Sequence, residues 1–172
     1  MDNSWIRHII RFVALVLLQG LIVKRMYYGG TGFIRIEFLI YPLFILLLPI
    51  FTSRNALLAA GFCIGILVDL FYDSPGVHAS AAVLTAFMRP RVLRRFEPGD
   101  GYEHKTPTIR SLGLQWFAKY AAMLMGIHVL AYYSMEVFNV LKTGQVLLRA
   151  AWGFLWSWAL IMAIMLTFNP KE

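Results

Sequence analysis

The sequence predicts an all-α integral membrane protein, a six-helix transmembrane bundle in which residues 1–172 form a single domain. Three observations point there. Of 172 residues, 59% are hydrophobic and only 15% are charged, whereas soluble domains carry about 25% charged residues. The mean hydropathy is +0.65. The apolar residues gather into six runs, and the positive residues flank those runs. Lipid offers the backbone no hydrogen-bonding partner, so each run is expected as a helix.

A crossing takes about 20 mainly apolar residues. The first segment, about 6–23, carries Arg7, His8 and Arg11 in its first turns. It has the outline of a signal peptide, but no small-x-small site follows and the run closes on Lys24 and Arg25, so it is expected as a retained span. The second, about 37–51, is short and contains Pro42 and Pro49, which are expected to bend it or thin one face. The third covers about 55–72. The fourth, 77–93, is apolar only as far as Met88 and spans if helix continues past Arg89 and Pro90. The fifth and sixth cover about 112–138 and 146–168. The segment 94–111 between the fourth and fifth mixes Pro, Gly and both charges, the composition of a loop without its own core.

The cations sort by side. With a cytoplasmic N-terminus and six crossings, one side holds Arg7, Arg11, Arg54, Arg89, Arg91, Arg94, Arg95, Lys105, Arg110 and Lys171. The other holds Lys24, Arg25, Arg35 and Lys142. That bias predicts a multi-pass protein of the cell inner membrane with both termini cytoplasmic. Lys119 and Arg149 fall near span ends, where long side chains reach the interface. The net charge of +7 is therefore read as topology and attraction to the lipid bilayer, with no nucleic acid partner.

Residues 61–81 read GFCIGILVDLFYDSPGVHASA. Gly61, Gly65 and Asp69 recur every four residues and share a helical face. Paired glycines let a second helix approach closely in lipid, either one of this chain or a partner's span. An acid inside a span is expected to face a bundle interior or water. Asp73 follows in the turn with Ser74, Pro75 and Gly76, and His78 opens the fourth segment. Asp69, Asp73 and His78 are thus expected to gather at the outer ends of two neighbouring helices, with Asp73 or Ser74 capping the fourth helix. Their spacing fits no zinc motif. His128, in mid-span, is read as a hydrogen-bonded structural histidine.

No catalytic pattern is present: neither G-x-S-x-G nor H-E-x-x-H occurs, and the glycines at 29, 30 and 32 precede no P-loop lysine. The expectation is a protein that is not an enzyme and needs no cofactor or metal. Cys63, the only cysteine, lies in an apolar run and forms no intrachain disulfide.

Gly61-x-x-x-Gly65-x-x-x-Asp69 followed by Ser74-Pro75-Gly76-x-His78-Ala79 resembles the signature region of the MreD family of rod-shape-determining membrane proteins. Phe87-Met88-Arg89-Pro90-x-Val92-Leu93 and Glu97-Pro98-x-x-Gly101-Tyr102-Glu103 are similar to members with an extended cytoplasmic loop. The resemblance implies a non-enzymatic subunit of the elongasome, or rod complex, that supports peptidoglycan synthesis and cell shape. It implies MreC as the direct partner, with MreB, RodA and a penicillin-binding transpeptidase in the same assembly. Self-association is a further expectation. It also implies a fold like that of the S components of energy-coupling-factor vitamin transporters, with an outward cavity. On this reading Gly61, Gly65, Asp69, Asp73, Pro75, Gly76 and His78 form a hydrated notch at the cavity rim or a partner site. Arg89, Arg91, Arg94 and Arg95 form a cytoplasmic contact for anionic lipid or MreB. The competing reading is a small-solute transporter subunit. It needs polar groups deep in the bundle, where the sequence offers few besides Gln19, His128 and Ser157.

Overall fold

A computed structural model describes residues 4–26, 37–103, 106–137 and 143–168. The glycine-rich 29–32 and four positions of the charge count (Arg35, Lys105, Lys142 and Lys171) lie outside the described residues. Every secondary-structure element among the described residues is helical. Helix α1 is Ser4–Leu17 and runs on through a π turn, Leu18–Ile22, and a 3-10 turn, Val23–Met26. The others are α2 Leu43–Leu46, α3 Arg54–Tyr72, α4 Val77–Arg95, α5 Ile109–Leu112, α6 Leu114–Val137 and α7 Thr143–Phe168.

Three stretches are long and apolar enough to cross a membrane: Ile6–Arg25, Arg54–Tyr72 and Gly144–Phe168. No more than 33% of the residues in any of them are buried, so their apolar side chains mostly face outward, as a lipid solvent favours. Helices α4 and α6, of 19 and 24 residues, have the length but turn polar groups inward. His78, Thr85 and Arg89 of α4 and Tyr120, His128 and Tyr132 of α6 are all buried.

The segment 37–51, expected as one bent helix, is not a continuous helix. Residues 37–40 are non-helical, a turn at 41 and 42 leads into the single turn α2, and further turns follow. The prolines explain this. Pro42 disfavours helix in the residue before it and fits a helix start. Pro49 has no amide hydrogen with which to continue one. The segment nonetheless occupies the centre of the bundle, and Leu39, Tyr41, Ile45 and Leu46 are completely buried.

Non-helical backbone in a lipid-embedded core must find partners in protein. Gln19 supplies several. Its Oε1 accepts from Ile40 N at 2.8 Å and from Tyr41 N at 3.4 Å, while its Nε2 donates to Phe38 O at 2.9 Å. Ser157 Oγ on α7 accepts from Leu39 N at 2.9 Å. Tyr120 donates to Leu46 O at 2.9 Å, and Arg89 donates to Leu48 O and Pro49 O. The π turn is what carries Gln19 inward. Gly20 beside it lets Phe71 approach to where a Cβ would lie 2.4 Å from the ring.

Helices α3 and α4 pack as an antiparallel pair through the glycines. A Cβ on Gly65 would lie 2.4 Å from Ala79 Cα, and one on Gly61 would lie 3.0 Å from Ala82 O and Ala86 Cβ. The glycine face is thus filled by α4 of the same chain, which settles the choice between internal packing and a partner's span at these two positions.

Three substitutions test these contacts. Gly65→Ala should lower stability by about 2 kcal/mol or more, because the contact is with backbone and cannot yield cheaply. Gly144→Ala, with open space around it, should be neutral or slightly stabilising; thermal unfolding in detergent compares them. Ser157→Ala should leave the Leu39 amide unpaired and speed its hydrogen exchange without changing the helix content; unchanged exchange at Leu39 would refute the role given to Ser157.

Candidate functional site

The α3–α4 turn is built around one carboxylate. Asp73 ends α3 in the left-handed region at φ 53°, and Gly76 at φ 91° starts α4. Between them the chain reverses tightly enough to bring Asp69 against the first turn of α4. Asp69 Oδ1 accepts from Ser74 Oγ at 3.1 Å and from His78 N at 2.9 Å. Asp69 Oδ2 accepts from Gly76 N and Ala79 N, both at 3.0 Å. These amides are the ones a helix start leaves without intrahelical partners. The cap of α4 therefore comes from the preceding helix, and not from Asp73 or Ser74 as the sequence spacing suggested. Ser74 braces the carboxylate, and Asp73 is exposed.

His78 completes the corner. Its Nδ1–H donates to Asp69 Oδ1 at 2.9 Å, with Ser74 Oγ 3.1 Å away. The imidazole is ringed by Tyr72, Tyr132 and Tyr41, with centroids 4.7, 4.9 and 5.6 Å from its own. Tyr72 also receives a hydrogen bond from Gln19 Nε2 at 2.8 Å, and Tyr132 donates to Glu37. Asp69 is 3% exposed and His78 is 0% exposed. This corrects the expectation of a hydrated notch: the pair is sealed inside the protein, and only Asp73, Pro75 and Gly76 of the expected set face outward. Because Gly61 and Gly65 bring the two helices so close, no space is left for solvent beside the pair.

His128 sits deeper, also fully buried. Thr85 Oγ1 donates to Ala81 O at 2.8 Å, so it accepts from His128 Nδ1–H, also at 2.8 Å. Tyr41 packs edge-on against His128 with centroids 5.1 Å apart. Both histidines thus hold their Nδ1 proton on an oxygen, and both Nε2 atoms are buried with no hydrogen-bond partner among the described residues. No group of three or more His, Cys, Asp or Glu that could hold a metal occurs among the described residues.

Arg89 departs from the expectation of a cytoplasmic contact. It is 0% exposed and donates from Nε to Tyr120 Oη at 3.0 Å as well as to the carbonyls of Leu48 and Pro49. The reason is helical phase. His78, Ala82, Thr85 and Arg89 lie on one buried face of α4, whereas Arg91, Arg94 and Arg95 lie off it and are exposed. Helix continues through Pro90 to Arg95. Beyond it, Tyr102 donates to Leu93 O at 2.6 Å and Trp116 Nε1 to Phe96 O at 2.6 Å, pinning the loop to the bundle. Burial pushes the Tyr102 phenol up to about 12, which extends its donor role further into alkaline pH than a free phenol's.

The sequence spacing missed Tyr41, Tyr72, Tyr132, Thr85 and Tyr120 as members of the polar interior. Thr85 was legible, being one further step along the face of His78. The tyrosines were not, because each comes from a segment whose depth only packing fixes.

Asp69→Asn should lower stability by about 3 kcal/mol, since an amide NH2 would face backbone N–H donors and the charge-assisted bonds would be lost. Ser74→Ala should cost about 1 kcal/mol. Equal melting of the two variants in detergent would show that Asp69 is not the cap on which α4 depends. Compared with known proteins, the chain matches no family model, no curated protein and no solved structure.

Proposed function

We propose that this chain is a membrane scaffold, an MreD-like subunit of the bacterial rod complex that binds MreC and supports lateral wall synthesis. On this reading all six segments lie within the bilayer of the inner membrane, in an S-component-like bundle with both termini cytoplasmic. MreB, RodA and a penicillin-binding transpeptidase are neighbours in the same assembly. The chain itself breaks no bonds. It offers partners a fixed shape and an apolar outer surface.

One observation carries the reading. The residues behind the resemblance, Gly61, Gly65, Asp69, Ser74, Gly76, His78 and Ala79, meet in a single corner. A motif spent on rigid internal packing suits a protein whose product is a surface for others. The interior polar groups fit the same account, because Gln19 and Ser157 already serve the chain's own backbone. Partner contacts then fall to outward residues, such as Leu147, Leu155 and Trp156 of α7.

A transporter subunit that captures a small solute is the second reading. The buried Nε2 atoms of His78 and His128 favour it, since neither has a described hydrogen-bond partner.

Purification from the native cell in mild detergent separates the two. A one-span protein with an extracytoplasmic coiled coil is the expected companion, and depletion of the chain should round the cells. An ATPase-bearing module as companion, with loss of labelled vitamin uptake on depletion and normal cell shape, would replace the scaffold by the transporter.

A further inference from the structure

Where α3 begins, two cations share one aromatic ring. Arg54, the first residue of α3, holds its guanidinium carbon 4.8 Å from the centroid of Phe87, and Arg91 holds its own 4.4 Å from the same ring. Both arginines are exposed, as are Arg94 and Arg95 one turn further along α4. Among the described residues no carboxylate lies within ion-pair distance of any of the four. Glu97 follows closely in the chain without pairing with them. The first turn of α3 also contains no acidic residue, so apart from the Ser53 hydroxyl, which accepts from Ala56 N, the positive end of that helix's dipole has no neutralising charge of its own.

The packing of α3 on α4 fixes the depth of this cluster. Gly65 meets Ala79 and Gly61 meets Ala82 and Ala86, so the antiparallel register brings Arg54 level with Phe87 and Arg91. Arg54 is the end of a stretch apolar and long enough to cross a membrane. The ring therefore sits where that span meets the headgroups.

We infer that Arg54, Phe87 and Arg91 form a binding site for the phosphate of an anionic phospholipid. Each guanidinium presents a planar fork of donors suited to phosphate oxygens. The shared ring holds both forks in place, so less freedom is lost on binding. An anion laid across the pair relieves the repulsion between two like charges held on one ring. A lipid headgroup is favoured over a soluble anion because the site opens at headgroup depth, where anionic lipid is concentrated and its acyl chains meet the exposed apolar side chains of α3 such as Phe62. The inference rests on the membrane location alone and stands whichever partner the chain proves to have.

Native mass spectrometry of the full chain in detergent, titrated with phosphatidylglycerol or phosphatidylcholine, tests it. The wild type should retain phosphatidylglycerol preferentially. R54Q/R91Q should lose about tenfold in that affinity. F87L, which keeps both charges and removes the ring, should lose about threefold. R110Q, an exposed cation at the same end of the bundle but off the ring, should bind as wild type does. If the double variant melts early, R91Q alone carries the test, with a smaller loss expected. Undiminished binding in R54Q/R91Q, or an equal loss in R110Q, would overturn the site. Displacement of the lipid by an equal concentration of glycerol 3-phosphate, or by an acidic peptide, would overturn the choice of lipid as its occupant.

Discussion

The carboxylate of Asp69 joins two helices that otherwise touch mainly through glycine and alanine. It accepts from the backbone of Gly76, His78 and Ala79 and from the side chains of Ser74 and His78. The tight contacts of Gly65 with Ala79 and of Gly61 with Ala82 and Ala86 favour one register but do not lock it alone. A charged acceptor directed at specific amides does fix it, because each bond is lost if α4 shifts by one residue. The depth of His78, Thr85 and Arg89, and the pairing of Arg54 with Phe87, all follow from that register.

The second constraint comes from the solvent. The centre of the bundle is occupied by 37–51, which the prolines prevent from forming one helix. In water such a segment would be a surface loop. In lipid it is tolerated only when side chains from its surroundings complete its backbone bonds. Gln19 and Ser157 serve one end, and Arg89 with Tyr120 the other. This explains a buried guanidinium without a carboxylate partner among the described residues: its counterpart is a set of carbonyl oxygens at the end of a helical turn, which carry partial negative charge.

These two features set a few hydrogen-bonded polar groups into an otherwise apolar interior, behind an outer surface that is also apolar, unlike that of a soluble domain. Exposed Ile9, Ile10 and Leu17 on α1, Leu70 on α3 and Leu166 on α7 would be a liability in water and are ordinary in lipid. A rigid interior with an apolar outer surface suits a component that works through contacts with neighbouring spans and headgroups.

Composition and periodicity determined that the chain is helical and membrane-grade, because those properties are sums over residues and need no knowledge of neighbours. The four-residue spacing of Gly61, Gly65 and Asp69 likewise announced a close helix contact, since helical geometry alone puts them on one face. Pro42 and Pro49 marked a weak helix but did not tell that its backbone would be completed by Gln19 and Ser157, residues 21 and 118 positions away from their partners. Grouping Arg89 with its neighbours by charge concealed that it belongs with His78 and Thr85 by helical phase. Whether Asp69 would face water or a sealed corner, and which amides it would cap, was decided only when α4 folded back onto α3. The same atoms can be solvated or paired, and the distance between two helices chooses between those outcomes.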